Sequence, residues 1–299
     1  MDDLPLDDHR IEDLINTALR EDFPHGDLTT DTLIAKSLQT QATITAKGSG
    51  MVAGASLVQR VYQKVDPSVV VTVLVQDGTS VQDGTQIIRL QGNAATILTG
   101  ERVALNFLQH LSGIATLTAR FCNAVKGYSV TLLDTRKTTP GLRSLEKWAV
   151  KTGGGTNHRM SLSDGILIKD NHLAVLQKVG TGIAEACRLA KSRLSTGTRV
   201  FVEVESLDQI PHALAGKPDV ILLDNMSLSE LREAVRLIHG QALTEVSGGV
   251  TLENVREIAA TGVDSISIGS LTHSAPAMDY SLTICPDTSA PQSPHAESN

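Results

Sequence analysis

Near the N-terminus, Ile11, Leu14, Ile15, Ala18 and Leu19 recur at steps of three and four, which predicts an amphipathic helix. "GDLTTDTL" follows as a turn leading into a second short element. The period then shortens. "QATITAKGSGMVAG" and "VVVTVLVQDGTSVQDGTQIIRLQG" alternate or run apolar with many β-branched residues, predicting strands, and the echo "QDGTSVQDGT" reads as two Asp-Gly turns of a small sheet rather than a ligand site. "AATILTGERVALNFLQHLSGIATLTARF" predicts one or two helices that close an α+β segment at residue 112.

Beyond Gly127 short β-branched runs ("SVTLLDT", "GILIKDN", "RVFVEVES", "DVILLDN", "LTEVSGG", "VDSISIGS") alternate with longer helical patterns such as "AVLQKVGTGIAEACRLAKSRL" and "SLSELREAVRLIHG". Ser206 with Gln209 and Ser227 with Glu230 have capping-box spacing, which sets two strand-to-helix boundaries. Repeated βα units give a doubly wound sheet or a barrel. The runs end in polar residues or glycine, where barrels place their chemistry, so a barrel is expected. The predicted organisation is an N-terminal α+β domain over 1–112, completed by 274–286, an α/β barrel over 113–273, and a Pro/Ser-rich tail over 287–299 without periodicity, expected to be disordered and to take no part in a site.

Composition narrows the picture. Aromatics are 3% of 299 residues, which points to an aliphatic parallel-sheet core and away from base-stacking nucleic-acid platforms. Net charge is -7, yet residues 134–159 carry six Lys or Arg against two acids, a local +4. A small anion is therefore a better-matched partner than a polyanion. Cys122, Cys187 and Cys285 fit neither a disulfide frame nor a zinc spacing, and the acidic "MDDLPLDDHR" lacks signal-peptide character, so a cytoplasmic protein without a membrane span is expected.

Several cationic groups should meet at the barrel mouth. Arg136 and Lys137 follow the first barrel strand, His158 and Arg159 precede the second, and Lys169 ends it. Arg143, Lys147 and Lys151, spaced by four, read instead as a solvated basic face, and "GGG" at 153–155 as the φ freedom that turns the chain into "NHR". "SGGV" (Ser247, Gly248, Gly249, Val250) and "IGS" (Ile268, Gly269, Ser270), at the last two strand ends, suit a phosphate. Glu203 and Asp224 end neighbouring strands and suit ribose hydroxyls or a Mg²⁺ accompanying phosphates; Glu205 shares the parity of Glu203 and remains an alternative.

"LDTRKTTPGLRSLEKWAVKTGGGTNHR", "LIKDNH", "VEVES", "ILLDNMS", "SGGV" and "ISIGS", with "GDLTT" and "GERVALNFLQHLSGIAT" upstream, closely resemble the quinolinate phosphoribosyltransferase family over nearly everything except the tail. Trp148 stands where that family more often has tyrosine. The resemblance implies an incomplete TIM-like barrel with an N-terminal α+β domain, at least a homodimer, and Arg102 crossing into the neighbour's site. It implies that Arg136, His158, Arg159 and Lys169 surround the two carboxylates of quinolinate, with Lys137 also lining the site, Thr135 among the substrate-binding residues, and Lys137, Lys169, Glu203 and Asp224 as the catalytic set. It further implies that Glu203 and Asp224 face the ribose and Mg²⁺ side of phosphoribosyl pyrophosphate, with 247–249 and 268–270 holding its 5-phosphate. The reaction implied is decarboxylating phosphoribosyl transfer giving nicotinate mononucleotide, pyrophosphate and CO₂ in NAD biosynthesis. Three rival readings remain: a relative of the same fold associated with molybdenum transport, a Schiff-base aldolase using Lys169, and a non-catalytic phosphosugar-binding module.

Overall fold

The computed structural model describes residues 9–193 and 197–285; the tail predicted over 287–299 lies outside them. Two compact units emerge, one from the chain up to Ser112 and again from Ala277, the other from Gly113 to Pro276.

In the first unit, α1 (His9–Asp22) buries Ile11, Ile15 and Leu19, the stripe the apolar spacing predicts, and α2 (Leu28–Leu33) follows with Asp27 capping it by accepting from Thr30 N–H at 3.1 Å. Strands β1 (Gln39–Ala46), β2 (Gly50–Met51), β3 (Val70–Val73), β4 (Ser80–Val81) and β5 (Gln86–Asn93) come next. A helix the alternation did not announce, α3 (Ala55–Val65), lies between β2 and β3. Asp77, the first residue of an Asp-Gly turn, caps it: Oδ1 accepts from Gly54 N–H at 2.8 Å and Ala55 N–H at 2.9 Å, and Oδ2 from Ser56 Oγ at 3.1 Å. Burial pushes the Asp77 carboxyl up, against the pull of these donors. Asp77→Ala is expected to cost about 1–2 kcal/mol, the usual worth of such a cap, read as a lower urea midpoint with an unchanged slope.

A single helix, α4 (Ala94–Ala124), fills the stretch predicted as one or two helices and runs through the division between Ser112 and Gly113. The second unit then alternates β6 (Thr131–Leu133), α5 (Arg143–Thr152), β7 (Ile166–Ile168), α6 (Asp170–Gln177), α7 (Ile183–Arg193), β8 (Val200–Val204), α8 (Gln209–Ala215), β9 (Val220–Asp224), α9 (Leu228–Ile238), β10 (Leu243–Ser247), α10 (Val255–Ala259), β11 (Ser265–Ser267) and α11 (Ser270–His273). The chain returns to the first unit as β12 (Tyr280–Ile284), antiparallel to β1 in a sheet ordered β12-β1-β5-β3.

The six barrel strands are parallel in the order β6-β11-β10-β9-β8-β7, so β6 and β7 occupy opposite ends of the sheet and the barrel stays open between them. Every residue of β8 is buried, as expected of a strand covered on both faces. The open edge of β6 is occupied by an irregular segment: Asp134 N–H donates to Thr156 O at 3.1 Å and Thr156 N–H to Leu132 O at 2.9 Å.

That segment arrives through the three glycines. Gly154 has φ +92°, the left-handed turn expected, but Gly153 and Gly155 serve close packing: a Cβ on Gly153 would lie 2.5 Å from Ala115 O, and one on Gly155 2.7 Å from Val150 Cγ1. Two further expectations change. The Ser227–Glu230 capping box forms, whereas α8 starts only at Gln209, whose Oε1 instead accepts from Glu205 N–H at 2.7 Å, so Ser206 caps nothing. The solvated basic face on α5 is also corrected. Lys147 is fully buried together with Leu145, Glu146, Trp148, Ala149 and Val150, because its ammonium meets the buried Asp134 carboxylate from the end of β6. Lys151 alone of the three is exposed.

Candidate active site

At the C-terminal ends of the barrel strands lies a cavity of about 760 Å³. Thr135, Arg136 and Lys137 reach it from the loop after β6, His158 and Arg159 from the segment along the open edge, and Lys169 from the end of β7. Glu203 and Asp224 line it from β8 and β9, followed by Ser247, Gly248 and Gly249 after β10 and by Ile268, Gly269 and Ser270 after β11. The barrel-side candidates thus line one cavity. Arg102 is exposed on α4, outside the unit that holds this cavity.

The cavity is cationic at one end. Arg159 Nη1 donates to Gly165 O at 2.8 Å, while the Nε atoms of Arg136 and Arg159 are buried without a hydrogen-bond partner. Burial, then the neighbouring Arg136, lowers the pKa of Arg159; Glu245 and Asp164 pull it back. Two partly desolvated guanidiniums repelling one another form a site that an anion would stabilise.

Lys169 Nζ donates to Glu203 Oε2 at 2.7 Å; the Glu203 side chain is 7% exposed and that of Lys169 48%. This resolves the parity question, since Glu205 is exposed and does not line the cavity. Asp224 accepts from Asn225 Nδ2 at 2.8 Å. Asn225 itself adopts φ +54°, and Gly248 follows at +88° and Gly249 at +61°. A Cβ on Gly248 would overlap Asn225 Oδ1, so glycine is required there twice over, by conformation and by space. Asn254 Nδ2 donates to Gly249 O at 2.9 Å and fixes the loop. Buried Thr272 Oγ1 donates to Lys137 O at 2.7 Å and ties the loop after β6 to α11.

Glu245 also lines the cavity, and the sequence reading passed over it. The signal was available: Glu245 has the parity of Ser247 two residues on, so both face inward from β10. It is buried, with Oε2 3.4 Å from His158 Nε2 and Oε1 unpartnered. His158 Nδ1 accepts from Arg159 N–H at 2.7 Å and its ring packs 4.9 Å from that of Phe201.

Family models for the quinolinate phosphoribosyl transferase N-terminal domain and C-terminal domain match residues 27–112 and 114–283. The chain belongs to the quinolinate phosphoribosyltransferase family. Its relatives include a probable nicotinate-nucleotide pyrophosphorylase [carboxylating] of Bacillus subtilis, 40% identical over 92% of this chain and 93% of that protein. Another is a quinolinate phosphoribosyltransferase [decarboxylating] of Nicotiana glauca, 41% identical over 92% of this chain and 82% of that protein. Among solved structures, the nicotinate-nucleotide pyrophosphorylase from Francisella tularensis matches with a TM-score of 0.87 at 38% identity, covering 93% of this chain and 96% of that one. The quinolinate phosphoribosyltransferase fold therefore accounts for both units, including the barrel left open between β6 and β7.

Proposed function

We propose that this cavity carries out decarboxylating phosphoribosyl transfer from phosphoribosyl pyrophosphate to quinolinate, with the roles divided between its two ends. The observation that carries the reading is the pair of half-buried arginines that line the cavity, Arg136 and Arg159, each with a buried and unpartnered Nε. An unsatisfied buried polar group costs about 1–3 kcal/mol, and more if charged, so a dicarboxylate is the ligand best able to relieve both. Thr135, Lys137, His158 and Lys169 complete that end. At the small-residue loops 247–249 and 268–270 Ile268 N–H is already donated to Leu133 O at 2.9 Å, so Gly248, Gly249, Gly269 and Ser270 would present the backbone N–H groups to the 5-phosphate, and Glu203 with Asp224 faces the ribose.

Mg²⁺ fits the donor set. Among the described residues no cluster of three His, Cys, Asp or Glu stands ready to hold a metal, and Mg²⁺ commonly binds one or two carboxylates plus substrate phosphates. Glu203 and Asp224 would hold it on that pattern. Bound there, the ion would neutralise charge on the departing pyrophosphate. The chain's own residues orient the reactants: the Arg136–Arg159 end presents the pyridine nitrogen to the ribosyl carbon, and Lys137 and Lys169 offset developing negative charge. Once the C–N bond forms, the adjacent cationic ring nitrogen stabilises, as an ylide, the electron pair left on C2 when the 2-carboxylate departs as CO₂, and a proton from solvent then takes the carboxylate's place on C2.

Lys169 serves poorly as a Schiff-base nucleophile, because its ammonium is paired with Glu203 and half-exposed rather than desolvated. We place the protein in a reducing cytosol. Cys122, Cys187 and Cys285 are all free, and among the described residues no helix is long and apolar enough to cross a membrane.

Nicotinate lacks the 2-carboxylate and would leave a guanidinium unmatched. Its kcat/KM is expected to fall about 100-fold or more below that of quinolinate, the penalty typical of a buried group left without its partner. Parallel initial-rate assays of the two acids decide the matter, and comparable turnover of nicotinate removes the dicarboxylate reading.

A further inference from the structure

We infer that the buried Asp134–Lys147 pair is a positioning device for His158 and Arg159, acting through the peptide groups of Asn157 and His158. Both members of the pair are fully buried. Taking an ammonium and a carboxylate out of water is costly, and well-packed apolar residues commonly replace such a pair without loss of stability. Burial pushes Asp134 up and Lys147 down, each held back by the other's charge, so stability alone is a weak reason for the pair. What it grips is more informative.

Asp134 Oδ1 accepts from Lys147 Nζ and from His158 N–H at 2.8 Å, and Lys147 Nζ also donates to His158 O at 3.3 Å. The two peptide units that flank His158 are thereby held, one by its donor and the other by its acceptor. The Asn157 amide, oriented by its hydrogen bonds, donates to Asp134 Oδ2 at 2.7 Å and to Lys147 O at 2.8 Å. Past Thr156 the segment has no ladder partner on β6, so these contacts take over where the parallel bridge stops. Asp134 also directly precedes Thr135, Arg136 and Lys137. A single carboxylate thus fixes the origin of one cationic segment and the course of the other, and sets the spacing of Arg136 and Arg159. No atom of the pair lines the cavity, so its influence on ligand runs through those residues.

The inference rests on the proposed role of Arg136 and Arg159 in holding quinolinate. The test compares Asp134→Leu/Lys147→Met, an apolar replacement of similar volume, with Arg159→Lys and the unsubstituted enzyme, measuring thermal midpoint and the KM for each substrate. A folded double variant with quinolinate KM raised about tenfold or more and phosphoribosyl pyrophosphate KM held within about twofold supports positioning, since a displacement near 1 Å is costly to binding geometry. A folded double variant with both KM values unchanged overturns it. If the double variant does not fold, Lys147→Gln carries the test, because its neutral amide is one bond shorter and weakens the grip on Asp134 and His158 O while keeping a polar group beside the buried carboxylate. A selective, smaller rise in quinolinate KM then supports the inference, and no selective change overturns it. Arg159→Lys separates the two levels: if it too leaves quinolinate KM unchanged, the ligand assignment itself has failed, whereas a raised KM there beside an unaffected double variant removes only the positioning role.

Discussion

Arg159→Lys is expected to lower kcat/KM for quinolinate by about two to three orders of magnitude while leaving the fold intact, since one or two charge-assisted hydrogen bonds at about 1.5–3 kcal/mol each are lost. The guanidinium uses Nη1 to hold Gly165 O at 2.8 Å and retains further donors for a ligand. A lysine has one ammonium where arginine has a planar fork, so it cannot anchor to Gly165 and grip a carboxylate in two places. The point charge would survive and the geometry would not. Steady-state kinetics beside a thermal melt checks the outcome. A folded variant with ordinary quinolinate affinity and turnover shows that Arg159 is a structural charge.

What the sequence made legible follows the reach of each signal. Strand ends are local features: a β-branched run closing in Asp, Glu, Lys or Gly marks where a parallel strand stops, and those stops converge because the strands share a direction. Parity within one strand is equally local, and it held the clue to Glu245 as well as to Glu203. It could not choose between Glu203 and Glu205, since burial depends on how far β8 extends, and the strand ends at Val204. The helical spacing of Arg143, Lys147 and Lys151 is also local, but it reports only which face a residue occupies and not what covers that face. Lys147 is buried because Asp134, thirteen positions away, supplies its counter-charge, and α5 is packed over most of its circumference. The triple glycine was read as a turn for the same reason. A positive φ leaves a trace in composition, whereas the approach of Gly153 to Ala115 depends on the course of α4. Ser206 shows that spacing is permissive: the box residues are present, yet α8 begins too late to use them.

Arg102, exposed on α4, is assigned by the family resemblance to the site of the neighbouring subunit in a homodimer. On that proposal Arg102→Ala and Lys169→Ala are each expected to be nearly inactive as homodimers, the first because each barrel loses its neighbour's guanidinium, the second because each loses its own lysine. Co-refolded in equal amounts, random pairing makes half the dimers mixed. Each mixed dimer then carries one site with both defects and one with neither, so about a quarter of the unsubstituted activity returns. Within a single chain the logic reverses. If Arg102 served its own barrel, every site in the mixture would carry one defect and nothing would be regained. Activity of the refolded mixture, with subunit exchange verified by differently tagged chains, distinguishes the two: recovery near a quarter supports a shared site, and verified exchange without recovery rejects it.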